Sequence, residues 1–195
     1  MYKIRNIDYT KGDLHMKIIF LTLCLLFSFQ VKSAFAFGGP FSSWTKAGDM
    51  MLVMTPAYAL GLSIMAEDYR GMLQLGESLL AGQIASEGIK ALELEQRPNK
   101  KDKKSLPSGH AAGAFSAAMF VHKRYGIRYA ITPYIMSLFT SYTRVKTRAH
   151  YWHDIAAGAA ISAMFTWILV GKYVPKNVEV AADTNYIHVG FNTEF

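Results

Sequence analysis

Apolar segments of helical length recur along most of this chain, and they constrain its fold more than any other feature. The first, Met50–Ala66, carries no charged side chain and lies at the short limit for crossing a bilayer. No alternating strand pattern precedes the C-terminal tail, so the sequence predicts an all-α bundle of about five to six mostly membrane-spanning helices. We expect the functional site at helix ends. The further predicted helices are Gly71–Leu94, Pro107–Val121, Tyr129–Tyr142 and Ile155–Gly171.

Composition and charge indicate which kinds of partner the protein can have. Hydrophobic residues make up 51% of the chain and charged residues 18%, and the formal net charge is +7. No long Lys/Arg tract with interleaved aromatic residues is present, so a nucleic-acid partner is not expected. An anionic substrate or an anionic membrane surface explains the positive charge. Cys24 is the sole cysteine, so no disulfide can form within one chain.

The N-terminal segment has the pattern of an export signal. Met16 and Lys17 precede an apolar run over 18–29, and Ala34-Phe35-Ala36 supplies small residues for cleavage. Met16 is a possible true start, and an uncleaved first transmembrane helix is the alternative; both interpretations export the chain. The predicted organisation is a signal peptide over 1–36, a helical-bundle domain over 37–180 and a short tail of unknown role over 181–195.

The stretch Thr143–Asp154 concentrates reactive side chains. If the chain is helical from His150 onward, His150 and Asp154 lie four residues apart on one face. A carboxylate there fixes the imidazole tautomer and prepares the other nitrogen as a nucleophile or base. Arg144 offers a planar donor suited to phosphate. The alternative is a charged interfacial loop in which Arg148 and His153 are merely solvated.

Polar residues also mark two other helix ends. Ser108 is a natural N-cap of the helix that Pro107-Ser108-Gly109-His110 opens, and a helix start attracts anions. If the helices cross a membrane and the mature N-terminus lies outside, the basic turn over 122–128 falls on the cytoplasmic side. The outer face then collects Lys90, Arg97, His110, Arg144 and His150.

Three motifs converge on one family. They read K-x6-R-P from Lys90 to Pro98, P-S-G-H over 107–110 and R-x5-H-x3-D from Arg144 to Asp154. In this order and spacing they resemble the type 2 phosphatidic acid phosphatase superfamily, which includes membrane lipid phosphatases, soluble periplasmic acid phosphatases and vanadium haloperoxidases. Thr143 stands where that family usually has Ser, a mild departure.

The resemblance implies a role for each motif residue. It makes His150 the nucleophile that forms a phosphohistidine, Asp154 the residue that orients it, and His110 the general acid. No metal or other cofactor is required, because cationic side chains neutralise the transferring group. His153 is left as a structural residue; a metal site of His150, His153 and Asp154 is the weaker alternative. The implied phosphate-binding groups are Lys90, Arg97, Ser108, Gly109 and Arg144.

The expected protein is therefore a metal-independent phosphatase of the inner membrane. Its site would face the periplasm and hydrolyse a lipid phosphate or diphosphate, so its partners would be a phosphorylated lipid, or a small phosphoester, and the membrane. Two alternatives stay open. One is a soluble periplasmic acid phosphatase for small phosphomonoesters. The other is a non-catalytic envelope protein that keeps an anion site.

Overall fold

The computed structural model describes residues 43–174, 178–183 and 186–191. The part described contains five helices followed by a short antiparallel hairpin. The export signal predicted over 1–36 lies outside the described residues. The helices are α1 Ser43–Met65, α2 Tyr69–Lys90, α3 Gly109–Tyr125, α4 Ile127–Lys146 and α5 Trp152–Leu169, and the strands are β1 Val178–Asp183 and β2 Tyr186–Phe191.

The third helix is the centre of the bundle. Its sequence is rich in Ala and Gly, and nearly every position from Gly109 to Val121 is buried. A helix that is apolar and small on all sides is covered all round, and small side chains let neighbouring backbones come close. All four other helices pack on α3, in the order α4, α1, α2 and α5 around it. The predicted all-α bundle is confirmed.

Buried hydroxyl groups are distributed through this interior. Several Ser and Thr side chains bond a carbonyl of the preceding turn in their own helix, so their polarity is satisfied without water. Ser162 also donates to the Ala112 carbonyl at 2.6 Å and so ties α5 to α3. The hydroxyls that bond their own helix belong to Thr55, Ser63, Ser137, Ser141 and Ser162.

The predicted basic turn over 122–128 is helical instead. Helix α3 continues to Tyr125 and α4 begins at Ile127, so Gly126 alone joins them. Its φ of 99° lies in the left-handed region that glycine tolerates, which lets the chain reverse within one residue. Arg124 does not face solvent: it is buried and pairs with Asp68 at the end of the bundle away from the α3 start.

Candidate active site

The three motifs meet at one end of the bundle because each lies where a helix begins or ends. Lys90 is the last residue of α2, and Gly109 and His110 open α3. Arg144 lies in the last turn of α4, and Asp154 in the first turn of α5. Consecutive helices alternate in direction, so these ends share one face. Arg97 and His150 come from the two loops on this face.

The loops are bonded to each other as well as to the helices. The Asn99 amide donates to the Arg148 carbonyl at 3.0 Å, and the Ser108 amide donates to the Asp154 carbonyl at 3.0 Å. Arg148 has a φ of 54°, so the α4–α5 loop contains a left-handed non-glycine residue that these contacts help to stabilise. These hydrogen bonds therefore hold the two loops of the site against each other and against the start of α5.

His150 faces Asp154, as the sequence predicts, but it does so from a loop and not from a helix. It is not helical: it lies in the loop before α5, whose first residue is Trp152. Its Nδ1 lies 2.8 Å from the Ser105 carbonyl oxygen and 3.4 Å from Asp154 Oδ2. A carbonyl can only accept, so Nδ1 carries the proton and Nε2 keeps its lone pair. The imidazole is 3% exposed, and Nε2 lies 3.4 Å from Arg97 Nη1.

The surroundings of His150 keep it neutral. Burial lowers the pKa of the imidazole below its usual 6.5, and the Arg97 and Lys90 cations act in the same direction, whereas Asp154 opposes them. A neutral imidazole with a free Nε2 is the nucleophilic form.

Asp154 is fixed from three sides. It is fully buried, and its Oδ2 accepts from the Ser105 hydroxyl at 2.5 Å and from the Tyr151 amide at 2.8 Å, besides facing His150. Its Oδ1 lies 3.3 Å from His153 Nε2, which in turn lies 2.7 Å from Glu95 Oε2. His153 is 57% exposed and so belongs to the outer rim of the site.

The second histidine has a carboxylate of its own. His110 Nε2 lies 3.3 Å from Oδ1 of Asp49, and the same oxygen accepts from Arg144 Nη2. Asp49 is 5% exposed and sits in the second turn of α1. None of the three motifs contains this residue.

The cations surround the space between the two histidines. Arg97 is held through Nε by Asp102 at 2.7 Å, which leaves Nη1 facing His150. Burial would raise the pKa of the Asp102 carboxyl, but the hydrogen bond from Arg97 holds it below its usual value. Arg144 is buried, and among the described residues its Nε has no hydrogen-bond partner. A buried guanidinium with an unused donor is equipped to take a further anion.

The α2 end and the α3 start are in direct contact. A Cβ placed on Gly109 would lie 2.8 Å from Lys90 Nζ, so this ammonium sits against the first backbone unit of α3. Lys90 also pairs with Glu87 at 2.6 Å. Ser108 is the N-cap, as predicted: its hydroxyl oxygen accepts from the Ala111 amide at 3.4 Å. All eight residues selected from the sequence therefore lie around one site.

Sequence reasoning missed Asp49, Asp102 and Ser105. Asp102 follows Arg97 by five residues in a polar loop, a spacing that gives a weak signal. Ser105 and Asp49 give no local sequence signal, because their partners are distant in the chain. Asp154 lies 49 residues from Ser105, and Arg144 lies 95 residues from Asp49.

A metal ion could be held at the rim. Glu95, His153 and Asp154 each offer a ligand atom, and these atoms lie within 4.8 Å of one another. This set differs from the alternative drawn from the sequence, because it contains Glu95 in place of His150, whose Nδ1 is turned to Ser105.

Comparisons with known proteins agree with this geometry. The PAP2 superfamily matches residues 71–177. A lipid A 4′-phosphatase of Helicobacter pylori is 30% identical over 172 residues, which cover 83% of this chain and 85% of that protein. A lipid A 1-phosphatase of Porphyromonas gingivalis is 30% identical over 174 residues, covering 87% of this chain and 33% of that protein. No solved structure gives a significant match. With its three motifs gathered around His150 and His110, the chain belongs to the PAP2 superfamily, the type 2 phosphatidic acid phosphatases, and is a phosphoric ester hydrolase.

Proposed function

We propose that this protein is a membrane-bound lipid phosphatase that transfers the phosphate of its substrate to His150 and then to water. The observation that carries the proposal is the state of His150: Nδ1–H is bonded to a carbonyl, and Nε2 keeps its lone pair and faces Arg97 Nη1 at 3.4 Å, with the Lys90 cation nearby. An imidazole so placed is a nucleophile for an anion that those cations hold.

The first step forms one bond and breaks one. Lys90, Arg97, Arg144 and the α3 start hold the phosphate oxygens, and His150 Nε2 attacks phosphorus. The bond from phosphorus to the lipid oxygen breaks, and that oxygen takes a proton from protonated His110. In the second step His110 removes a proton from water as its oxygen attacks the phosphohistidine. Free phosphate leaves, and His150 returns to its starting state.

A phosphorylated lipid is the substrate that the surroundings favour. The apolar residues Ala111 and Ile155 directly follow His110 and Asp154, and they form one buried cluster with Phe115. Partly exposed Met119 and Val145 pack against that cluster, so apolar surface continues away from the phosphate site. Both relatives are named for lipid A, which makes lipid A, or a lipid phosphate of similar shape, the first candidate.

The helix surfaces support a membrane location. On α4, Ile127, Ile131, Ile135 and Leu138 are each more than half exposed and recur every three or four residues. Such a stripe faces lipid in a membrane protein or a partner in a soluble one. Helix α1 is the one helix in the described ranges that is long and apolar enough to span a bilayer by itself.

The periplasmic orientation rests on the sequence. The export pattern over 1–36 takes the chain across the inner membrane, and the site then lies at the bundle end that contains the start of α1. The alternative, a soluble periplasmic phosphatase for small phosphomonoesters, is favoured by one observation: most of the described helices do not qualify as spans.

The test is phosphate release by purified protein in detergent across a substrate panel. It contains lipid A with only the 1-phosphate, lipid A with only the 4′-phosphate, phosphatidic acid and a short soluble phosphomonoester. We expect turnover of at least one lipid, inhibition by vanadate and no loss with chelators. His150→Ala should abolish turnover, and His153→Ala, a matched change at the exposed rim, should retain it. Turnover of the soluble ester alone would favour the alternative, and no release from any substrate would refute the proposal.

A further inference from the structure

Each histidine of the site has its own carboxylate, and only one of the two comes from the motifs. His150 faces Asp154 at 3.4 Å, and His110 faces Asp49 at 3.3 Å. Asp154 is four residues from its histidine, whereas Asp49 comes from α1, which lies outside the segment 71–177 that matches the family. The site is thus completed by a helix that carries none of the three motifs.

Helix α1 packs closely against α4 at Gly48, next to the site. A Cβ on Gly48 would lie 1.9 Å from Thr143 Oγ1 and 3.1 Å from Arg144 Nη2, so only glycine lets the two helices approach this closely. The Gly48 carbonyl accepts from Thr140 at 3.4 Å, and the Thr45 carbonyl accepts from Arg144 at 3.4 Å. These contacts fix the position of α1, and with it Asp49, beside the site.

The contacts leave the catalytic groups free for substrate. Asp49 takes the Nη2 arm of Arg144, and Nε stays buried without a partner among the described residues. Asp49 also takes Nε2 of His110, which leaves Nδ1 for a leaving oxygen. One buried carboxylate therefore orients both Arg144 and His110 and leaves each of them a nitrogen for the substrate.

We infer that Asp49 is a positioning residue of the reaction, which holds His110 ready to protonate the leaving oxygen and holds Arg144 ready to bind phosphate. The inference rests on the proposed function, because it needs His110 to act as an acid. Burial lowers the pKa of the His110 imidazole to about 4, and the Asp49 carboxylate opposes this shift. Asp49 thereby favours the protonated form, which must give up its proton as the bond from phosphorus to the leaving oxygen breaks.

The test compares leaving groups. An alkoxide needs a proton to leave, whereas nitrophenolate is stable as an anion and leaves without one. We expect Asp49→Asn to lower kcat/KM for dodecyl phosphate in mixed micelles by roughly tenfold or more, and for p-nitrophenyl phosphate by only about threefold. His110→Ala should show the same selectivity. In the double variant the selectivity should not exceed that of His110→Ala, because both changes remove the same proton donation, and only the loss of about threefold that comes through Arg144 and affects both leaving groups should add.

Asp68→Asn is the matched control. Asp68 is likewise buried and paired with an arginine, but at the other end of the bundle. Its loss should lower the melting temperature and leave the leaving-group selectivity of the folded protein unchanged. Asp49→Ser, which also removes the charge but places no amide NH2 group against Arg144, should repeat the Asp49→Asn pattern.

The possible outcomes distinguish failure of the role of Asp49 from failure of the proposed function. Wild-type turnover with an equal loss for both leaving groups in the folded Asp49 variants, or a double variant with greater leaving-group selectivity than His110→Ala, would overturn the role of Asp49 alone. Absence of wild-type phosphate release from any substrate would overturn the proposed function, and this inference with it.

Discussion

At the scale of single residues, hydrogen bonds that the motifs do not contain decide what His150 can do. Ser105 contributes twice: its carbonyl holds His150 Nδ1 and its hydroxyl donates to Asp154. A substitution leaves the carbonyl in place and removes only the hydroxyl. The two contributions can therefore be separated by experiment.

Ser105→Ala should slow turnover several-fold and lower the free energy of unfolding by about 1–3 kcal/mol, because Asp154 Oδ2 loses a buried donor. Ser116→Ala is the matched control: its hydroxyl is also buried but has no hydrogen-bond partner among the described residues, so its loss should be neutral or stabilising. Kinetics and chemical denaturation in detergent measure both. Equal effects of the two changes would contradict the role of Ser105.

The pH dependence follows from the lowered pKa of His150. Because burial and the nearby cations place this pKa below 6.5, the nucleophile stays neutral at pH 6.5 and is lost only at lower pH. The acidic inflection of kcat/KM is therefore expected below 6.5. An inflection above 6.5 would contradict this account.

The lowered pKa of His150 also determines the direction in which its contribution to stability changes with pH. In the unfolded chain His150 binds its proton near pH 6.5, whereas the folded state resists protonation until a lower pH. The unfolded state binds more protons in that interval, so the contribution of His150 to stability falls as pH drops from 6.5 to its folded pKa. Unfolding curves of the wild type and His150→Ala across this range measure the difference.

Much of the site was predictable at this scale, and the reason is local. Lys90–Pro98, Pro107–His110 and Arg144–Asp154 carry their spacing within short segments, so the resemblance to the family was visible in the sequence and implied the eight residues that the structure brings to one end of the bundle. The contacts of Asp49 and Ser105 depend on how α1 and the α2–α3 loop pack, which no short-range pattern encodes. The sequence placed His150 beside Asp154 only on the condition that the chain is helical from His150 onward. The helix instead begins at Trp152, and loop contacts bring His150 to Asp154.

At the scale of elements, the close approach of α3 and α5 aligns the two halves of the site. A Cβ on Gly158 would lie 2.5 Å from the Ser108 carbonyl oxygen and 3.1 Å from the Ala112 amide nitrogen. Both are backbone atoms, which cannot turn away as a side chain could. The separation of these helices therefore depends on glycine at this position.

Gly158→Ala should destabilise the protein by about 1–3 kcal/mol and reduce turnover, because forcing the helices apart moves His110 away from Asp154. Gly61→Ala is the control: nothing lies within 4 Å of its added methyl, and alanine is the better helix former. Its melting temperature should equal or exceed that of the wild type. A Gly158→Ala protein with wild-type melting temperature and turnover would contradict the role of this contact.

The helices themselves followed from hydrophobic patterning, but their ends did not. Arg144 was expected beyond the fourth helix and lies inside it, because α4 continues to Lys146. Such ends depend on capping and on tertiary partners, such as the Asp49 carboxylate that Arg144 meets. Similarly, the burial of Arg124 depends on Asp68 and Gln74, which come from other parts of the chain.

At the scale of the whole molecule, the bundle has two different ends. One end carries the cations and histidines of the site. The other is closed by Arg124, which bonds Asp68, Gln74 and the Gly171 carbonyl. Exposed apolar stripes lie between the two ends, as on α4. This arrangement suits a bundle that stands in a bilayer with its site at one surface.

Cell fractionation tests that arrangement. We expect the protein to stay with membranes through osmotic shock and high salt and to be released only by detergent, because its exposed stripes must be covered. Release by osmotic shock without detergent would favour the soluble periplasmic alternative.

The central claim is that His150 carries the phosphate, and trapping that species tests it most directly. Wild-type protein is mixed with a substrate labelled in the phosphate and quenched in base within one turnover. We expect label on the wild type and on His153→Ala, stable in base and lost in acid, and none on His150→Ala. Label on His150→Ala, or undiminished turnover by that variant, would contradict the account.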